Sequence, residues 1–194
     1  LPSSPTLAKY TRKARAASPI RSGDPVRPMI RGSIASTYSA IVFGVSRSPG
    51  LDECGPFWQA VGDADLLVSM HASDRGYSRY QSDWTGPQEM LPFKPNAFKM
   101  MTHQKRPIED TMAAMVCHGA LTRFPDLRIA CIENGGSWVL PFLEHLEQTR
   151  RMMPQAFDED PIAAFKRNIY VNPFHEDNLQ GLIDEMGADH ILFG

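Results

Sequence analysis

The sequence has no apolar stretch close to the roughly 20 residues that a membrane-spanning helix requires. It also has no large excess of charge, because 20 basic and 22 acidic residues leave a formal net charge of −2. We therefore expect neither a membrane nor a nucleic acid as partner. With 194 residues, 42% of them hydrophobic, the chain is long enough to bury one substantial core.

Cysteine is scarce as well, with three in the chain: Cys54, Cys117 and Cys131. An odd number without close spacing argues against a disulfide framework and against a thiolate zinc site. This usage fits a reducing compartment, and we predict a cytoplasmic location. Cys117 and Cys131 stand among apolar residues, where they are predicted to fill small spaces in the core.

The first part of the chain differs in composition from the rest. Residues 1–31 are rich in Ser and Pro and hold seven basic residues against one acid, Asp24. Such a stretch could be an Arg- and Ser-rich transit peptide, but a disordered or non-native leader is the preferred interpretation. The predicted division is a leader over residues 1–35 and a single domain over 36–194.

Short apolar runs alternate with amphipathic segments along the predicted domain. The runs predict strands at 40–45, 66–70, 128–132, 168–171 and 190–193. The amphipathic segments predict helices at 56–61, 107–123, 138–152, 161–167 and 179–186. Between them, residues 72–106 show no clear period and are predicted to form a long loop.

Alternating strands and helices indicate an α/β fold with a parallel sheet, either doubly wound or closed into an eight-stranded barrel. No glycine-rich phosphate-binding turn follows an early strand, which disfavours a doubly wound, dinucleotide-binding enzyme. The longest insertion directly follows His71, and barrels carry their variable loops at the carboxyl ends of strands. We therefore predict a partial (β/α)8 TIM-type barrel.

In such a barrel, the residues that follow each strand face one shared mouth. His71 ends a predicted strand and is the leading candidate for a metal ligand. Glu133 ends the next one and could bind metal, act as a general base, hold a ligand histidine in place or close a loop by a salt bridge. His175 follows a third strand and is a candidate for substrate binding, whereas Asp177 suits the start of the next helix.

The segment after His71 could contact a substrate. Asp74 and Arg75 are the candidates here, because a guanidinium group suits a carboxylated substrate. An ordinary surface loop is an equally good interpretation of these residues. His118 lies late in the helix before the next strand, so it should face the opposite end of the barrel and is predicted to be structural.

Four stretches together resemble the amidohydrolase-related family that includes aminocarboxymuconate-semialdehyde decarboxylase. They are FWQAVGDADLLVSMHASDRGY, RPIEDTMAAMVCHGALTRFPDLRIACIENGGSWVLPFLEHL, DEDPIAAFKRNIYVNPFHEDN and LIDEMGADHILFG. Together they span roughly residues 56–194, and RFPDLRI and GADHILFG are the most specific pieces.

The resemblance implies a barrel that holds one divalent metal, usually zinc, with this chain supplying roughly the fourth to eighth strands. By the resemblance, His71 matches the fifth-strand ligand, and Glu133 stands where some members have a sixth-strand histidine. The family's aspartate would come after Gly194, and its first-strand ligand pair has no counterpart here. The chain thus looks incomplete at both ends, its catalytic residue is unknown, and little or no activity is expected.

The resemblance favours a metal-dependent hydrolase or carboxy-lyase that acts on a small carboxylic acid. The alternative is a non-catalytic barrel remnant or interaction module that pairs its open sheet edges, for instance as a homo-oligomer. A doubly wound enzyme with another cofactor would need a phosphate-binding turn, and none is evident in the sequence.

Overall fold

A computed structural model describes most of the chain. The described residues are 33–36, 47–72, 77–86, 97–103, 105–175 and 177–193. The predicted strand at 40–45 and the candidate residues Asp74 and Arg75 lie outside these ranges. Within them, no helix is both long enough and apolar enough to cross a bilayer.

Strands and helices alternate through the described residues. The strands are β1 (Ser33–Ser36), β2 (Leu67–His71), β3 (Arg128–Ile132) and β4 (Ile169–Val171). The α-helices are α1 (Gly55–Asp63), α2 (Ser78–Thr85), α3 (Ala97–His103), α4 (Arg106–Cys117), α5 (Ala120–Arg123), α6 (Val139–Met152), α7 (Pro161–Asn168) and α8 (Leu179–Met186). Short 3₁₀ helices occupy Asp52–Cys54, Pro154–Ala156 and Ala188–His190.

The strands form a parallel sheet in the order β1-β2-β3-β4. Ile191 extends it through a parallel bridge to Val171. Among the described strands, spatial order therefore follows chain order without the reversal that marks a doubly wound sheet. This confirms the parallel α/β architecture and favours the barrel over the doubly wound alternative, while closure into a full barrel stays a prediction.

The core is built on β3, whose three central residues are all buried. Trp138, Phe142 and Phe165 pack on one another with ring centroids 5.2–6.1 Å apart. Trp138 and Phe165 are fully buried, and truncating such a side chain to Ala typically costs about 3–5 kcal/mol. These rings join the start of α6 to α7.

The cysteine predictions have mixed outcomes. Cys131 is fully buried in β3, as predicted, and burial raises the pKa of its thiol to about 12. A thiol in such surroundings stays protonated and inert. Cys117 is exposed at the end of α4, so its predicted core position was wrong.

The prediction of a long loop over residues 72–106 was also wrong in part, because α2 and α3 lie within it. Tyr80 and Trp84 are four residues apart, which puts them on one face of α2, where both pack against Phe98 of α3. Gln81 Nε2 also donates to Thr102 Oγ1 at 2.7 Å and links the two helices. Glycines and prolines around these short helices concealed their period.

Two further element boundaries differ from the predictions. The helix predicted over 107–123 is broken at Gly119, whose φ of 71° lies in the left-handed region. The last predicted strand is reduced to the bridge at Ile191, because the 3₁₀ helix Ala188–His190 takes up its start. The strand β1, in contrast, was not anticipated from the sequence.

Helix α7 begins as the sequence predicts. Asp160 is the N-cap, and its Oδ1 accepts from the backbone N–H groups of Ile162 and Ala163 at 2.9 and 3.3 Å. Pro161 fills the first helical position, where a missing N–H costs nothing. The cap sets where α7 starts, and α7 leads directly into β4.

The Asp160→Ala variant should lose about 1 kcal/mol of unfolding free energy, because two helix-start donors lose their acceptor. Urea denaturation followed by circular dichroism would measure the loss. The nearby Asp158→Ala is the control, since Asp158 is exposed and its replacement should change stability by less than about 0.5 kcal/mol. Equal losses for the two variants would contradict the assignment of Asp160 as the cap.

Candidate functional site

Because β2, β3 and β4 are parallel, their carboxyl ends lie along one edge of the sheet. The register pairs His71 with Ile132 and Cys131 with Val171. Neighbouring strands lie about 4.8 Å apart, so residues that follow them are within side-chain reach of one another. The fold therefore brings His71 and Glu133 to the same place.

His71 and Glu133 face each other directly. The distance from His71 Nε2 to Glu133 Oε2 is 3.2 Å, and the two side chains are 43% and 64% exposed. His71 Nδ1 lies 3.1 Å from the carbonyl oxygen of Ala72. That oxygen can only accept, so a hydrogen bond there requires the proton on Nδ1 and leaves Nε2 free of it in the neutral ring.

Glu133 has a backbone conformation that is rare for its type. Its φ of 54° is in the left-handed region, which costs a residue with a Cβ roughly 1 kcal/mol or more. The chain turns sharply here as it leaves β3, and Gly135 continues the turn at φ 65°. This turn directs the carboxylate of Glu133 toward His71.

Two asparagines join the ends of the strands. Asn134 is buried, and its Nδ2 donates to the carbonyl oxygens of Met70 and Ile132 at 2.9 and 2.8 Å. Asn172 Oδ1 accepts from the N–H of Glu133 at 3.5 Å, and its Nδ2 donates to Leu192 O at 3.2 Å. These side chains connect β2 to β3, and β3 to the sheet beyond β4.

Asp177 has a different role from the predicted one. Its Oδ2 accepts from the N–H groups of Gly136 and Phe174 at 2.6 and 2.7 Å, which joins the turns that follow β3 and β4. The N-cap of α8 is Asn178, whose Oδ1 accepts from Gly181 N at 3.0 Å. The sequence showed an acid near a helix start but not which backbone groups would come within its reach.

The other candidates lie apart from the pair or cannot be placed. His175 is exposed in the turn after β4, and its substrate-binding role stays a prediction. Asp74 and Arg75 fall outside the described residues. His118 is at the far end of α4, where Nδ1 lies 2.7 Å from Ser48 Oγ, consistent with the structural role predicted for it.

Tyr77 is the first described residue after the gap that contains Asp74 and Arg75. Its hydroxyl donates to the carboxylate of Asp110, near the start of α4. Burial is the largest cause that raises the pKa of the Tyr77 hydroxyl well above its usual range, and this hydrogen bond is the second. The phenol therefore stays protonated and links Tyr77, directly before α2, to α4.

The donor set suits a divalent cation in kind, since imidazole nitrogen and carboxylate oxygen are both ligands of zinc and similar ions. The number of such donors, however, is too small for a complete site. Among the described residues, no group of three or more His, Cys, Asp or Glu side chains is arranged to hold a metal. Catalytic zinc normally has three protein ligands, so the described residues supply part of a site.

Comparison with known proteins finds relatives among solved structures. No protein-family model and no curated protein matches the chain. An amidohydrolase from Mycobacterium avium subsp. paratuberculosis is 34% identical over 76% of this chain, with a TM-score of 0.69. A putative amidohydrolase from Staphylococcus aureus is 16% identical over 84% of it, with a TM-score of 0.59.

A third similar structure is a 2,6-dihydroxybenzoate decarboxylase from Rhizobium, 18% identical over 76% of this chain, with a TM-score of 0.50. At this identity, as for the Staphylococcus aureus protein, the likeness concerns the fold alone. The chain spans 36% of the Mycobacterium protein, 51% of the Staphylococcus protein and 45% of the Rhizobium protein. The family resemblance predicted from the sequence is confirmed.

The left-handed conformation at position 133 predicts an unusual order of stability. Glu133→Gly should be more stable to urea than Glu133→Ala by about 1 kcal/mol, because glycine adopts positive φ without strain. The control is Glu144, an exposed residue inside α6, where the order should be reversed by about 1 kcal/mol. An alanine at position 133 that matches or exceeds glycine in stability would contradict the assigned turn.

Proposed function

This chain is related in structure to the amidohydrolase family, and on that premise we propose that His71 and Glu133 belong to the active site of a metal-dependent hydrolase or carboxy-lyase. The observation that carries the proposal is the 3.2 Å approach of His71 Nε2 to Glu133 Oε2 at two adjacent strand ends. The proposed substrate is a small carboxylic acid, and the proposed metal is a divalent ion such as zinc.

His71 is suited to bind a cation through Nε2. The hydrogen bond from Nδ1 to Ala72 O fixes the ring orientation and selects the tautomer with a lone pair on Nε2. A lone pair and a carboxylate that face each other at 3.2 Å repel, and a bound divalent cation would offset that repulsion. The imidazole nitrogen and the carboxylate thus form a pair of donors with affinity for a cation.

Glu133 is the side chain proposed to accept or donate a proton in the reaction. Its carboxylate is 64% exposed and lies next to the proposed ligand, where a water or a substrate can reach it. A divalent metal, when bound, supplies a water of lowered pKa or polarises a carboxyl or carbonyl group. Glu133 could then accept a proton at its carboxylate oxygen or remain a ligand.

Substrate recognition is proposed to come from Asp74, Arg75 and His175. A guanidinium group binds a carboxylate through two parallel hydrogen bonds, which makes Arg75 the preferred partner for an acidic substrate. His175 lies in the turn after β4, and its exposure leaves it accessible to a ligand. The similar Rhizobium protein is named for its action on 2,6-dihydroxybenzoate, a small aromatic carboxylic acid.

The described donors also limit what this chain does by itself. Two side chains hold zinc less tightly than the usual three, and fewer ligands leave the ion exposed to competing water. We therefore propose weak metal binding and little or no turnover for the isolated chain. Residues outside the described ranges would have to complete a fully active site.

A non-catalytic interaction module is the second candidate, and the sheet edges favour it. Within the described part of the chain, β1 and the bridge residue Ile191 are the two ends of the sheet. Phe193, two residues after the bridge residue Ile191, is 82% exposed. A sheet edge next to an exposed aromatic residue can pair with a second copy of the chain. Sedimentation showing a concentration-dependent dimer without zinc affinity would favour this candidate.

Zinc titration by calorimetry tests the enzyme proposal. The chain should bind zinc weakly, and His71→Ala or Glu133→Gln should weaken binding by about tenfold or more, because each removes a proposed ligand. His145→Ala is the control, since His145 is exposed on α6 and should leave the affinity unchanged.

Three outcomes of these measurements decide the proposal. Tight, stoichiometric zinc binding would overturn the proposed weakness of the site. Zinc binding that is lost in His145→Ala but kept in His71→Ala would overturn the assignment of the ligand. Carbon dioxide release from dihydroxybenzoates, or hydrolysis of small amides, should stay near the level of the His71→Ala protein.

A further inference from the structure

Asn134 is a buried polar residue in the middle of the candidate site, although it is neither an acid nor a base. The residue is 9% exposed, and its side-chain amide group donates to a carbonyl of β2 and to a carbonyl of β3. These two strands are the ones that end in His71 and Glu133. We propose that Asn134 is a positioning residue that holds the two strand ends at the spacing at which His71 and Glu133 face each other.

The geometry of the amide group supports this role. Its nitrogen carries two hydrogens, and the acceptors Met70 O and Ile132 O lie at 2.9 and 2.8 Å. Ile132 O also accepts from the N–H of Ala72 at 3.2 Å, which is the last backbone bond between the strands. The side chain of Asn134 thus reinforces the sheet at the point where the ladder ends.

Asn134 affects the site because it directly follows Glu133 in the chain. Glu133 has a left-handed backbone, and a strained residue keeps its conformation only when its neighbours are fixed. Ile132 fixes one side of Glu133 as part of β3, and buried Asn134 fixes the other. The direction of the Glu133 carboxylate therefore depends on the bonds that Asn134 makes.

Asn168 supplies a matched comparison within the same chain. It is fully buried, and its Nδ2 donates to carbonyl oxygens of Leu127 at 2.6 Å and Pro125 at 3.0 Å. Its amide group thus also bridges two backbone carbonyls, but at the amino end of β3, away from His71 and Glu133. Replacing either asparagine by aspartate sets a carboxylate against backbone carbonyls and removes the donors.

The first experiment compares Asn134→Asp with Asn168→Asp by amide hydrogen exchange followed by NMR. In Asn134→Asp, exchange of the Ala72 amide should accelerate about tenfold more than exchange of the slowest core amides does. The reason is that the strand ends separate locally without global unfolding. In Asn168→Asp, Ala72 should accelerate no more than the core amides do. Equal behaviour of Ala72 in the two variants would overturn the proposal.

The second experiment uses zinc alone as probe and rests on the proposed function. Asn134→Asp should weaken zinc binding by about tenfold, whereas Asn168→Asp, although destabilised, should keep the affinity of the parent chain. In a Glu133→Gln background, Asn134→Asp should have little further effect, because its action passes through Glu133. A loss of affinity equal in both aspartate variants would make Asn134 merely structural and would overturn the proposal.

Failure of the proposed function is distinguishable from failure of this inference. If the parent chain binds no zinc, the metal site is refuted, and the exchange of Ala72 still decides whether Asn134 holds the strand ends. Should Asn134→Asp fail to fold, Asn134→Ala removes the same donors without adding a charge. The same difference between Ala72 and the core amides is then expected, and its absence would overturn the role.

Discussion

The parallel pairing of Leu67–His71 with Arg128–Ile132 is the constraint on which the candidate site depends. Parallel strands finish on the same edge of a sheet, so the residues that follow them are neighbours even though 62 positions separate His71 from Glu133 in the chain. The register sets His71 opposite Ile132, and one further residue brings Glu133 alongside the imidazole. A shift of one residue would turn one of these side chains to the other face of the sheet.

Polar side chains continue the sheet where its backbone ladder stops. Asn134, Asn172 and Asp177 each accept or donate at two backbone groups of neighbouring strand ends or turns. They give hydrogen-bond partners to backbone groups where the regular ladder of the sheet ends. They also stabilise the left-handed turn at Glu133, so local strain is offset by bonds made around it.

Much of this arrangement could be predicted from the sequence, for identifiable reasons. The strands at His71 and Glu133 are short, nearly continuous apolar runs in the sequence, and such runs are typical of parallel sheets. The start of α7 was predicted because Asp160 and Pro161 are local signals. In contrast, α2 and α3 were missed because their apolar period is short and interrupted. Strand β1 was missed because it is short and two of its four residues are Ser.

The roles of the joining residues could not be predicted in the same way. Asn134 acts on Met70, 64 positions away, and Asp177 acts on Gly136, 41 positions away, so no local pattern marks either contact. Glu133 shows nothing in its own type that indicates a positive φ, since glycine or asparagine is the usual choice there. Residues that share a strand end were therefore predictable, but the contacts between them required three-dimensional packing.

The most direct test of the account is a nuclear Overhauser measurement on the chain with labelled histidine and glutamate. The facing arrangement predicts cross-peaks between the His71 Hε1 proton and the Glu133 γ-protons, because Nε2 and Oε2 are 3.2 Å apart. Cross-peaks from the His71 ring to side chains of another strand, with none to Glu133, would contradict the convergence of the two strand ends and the site built upon it.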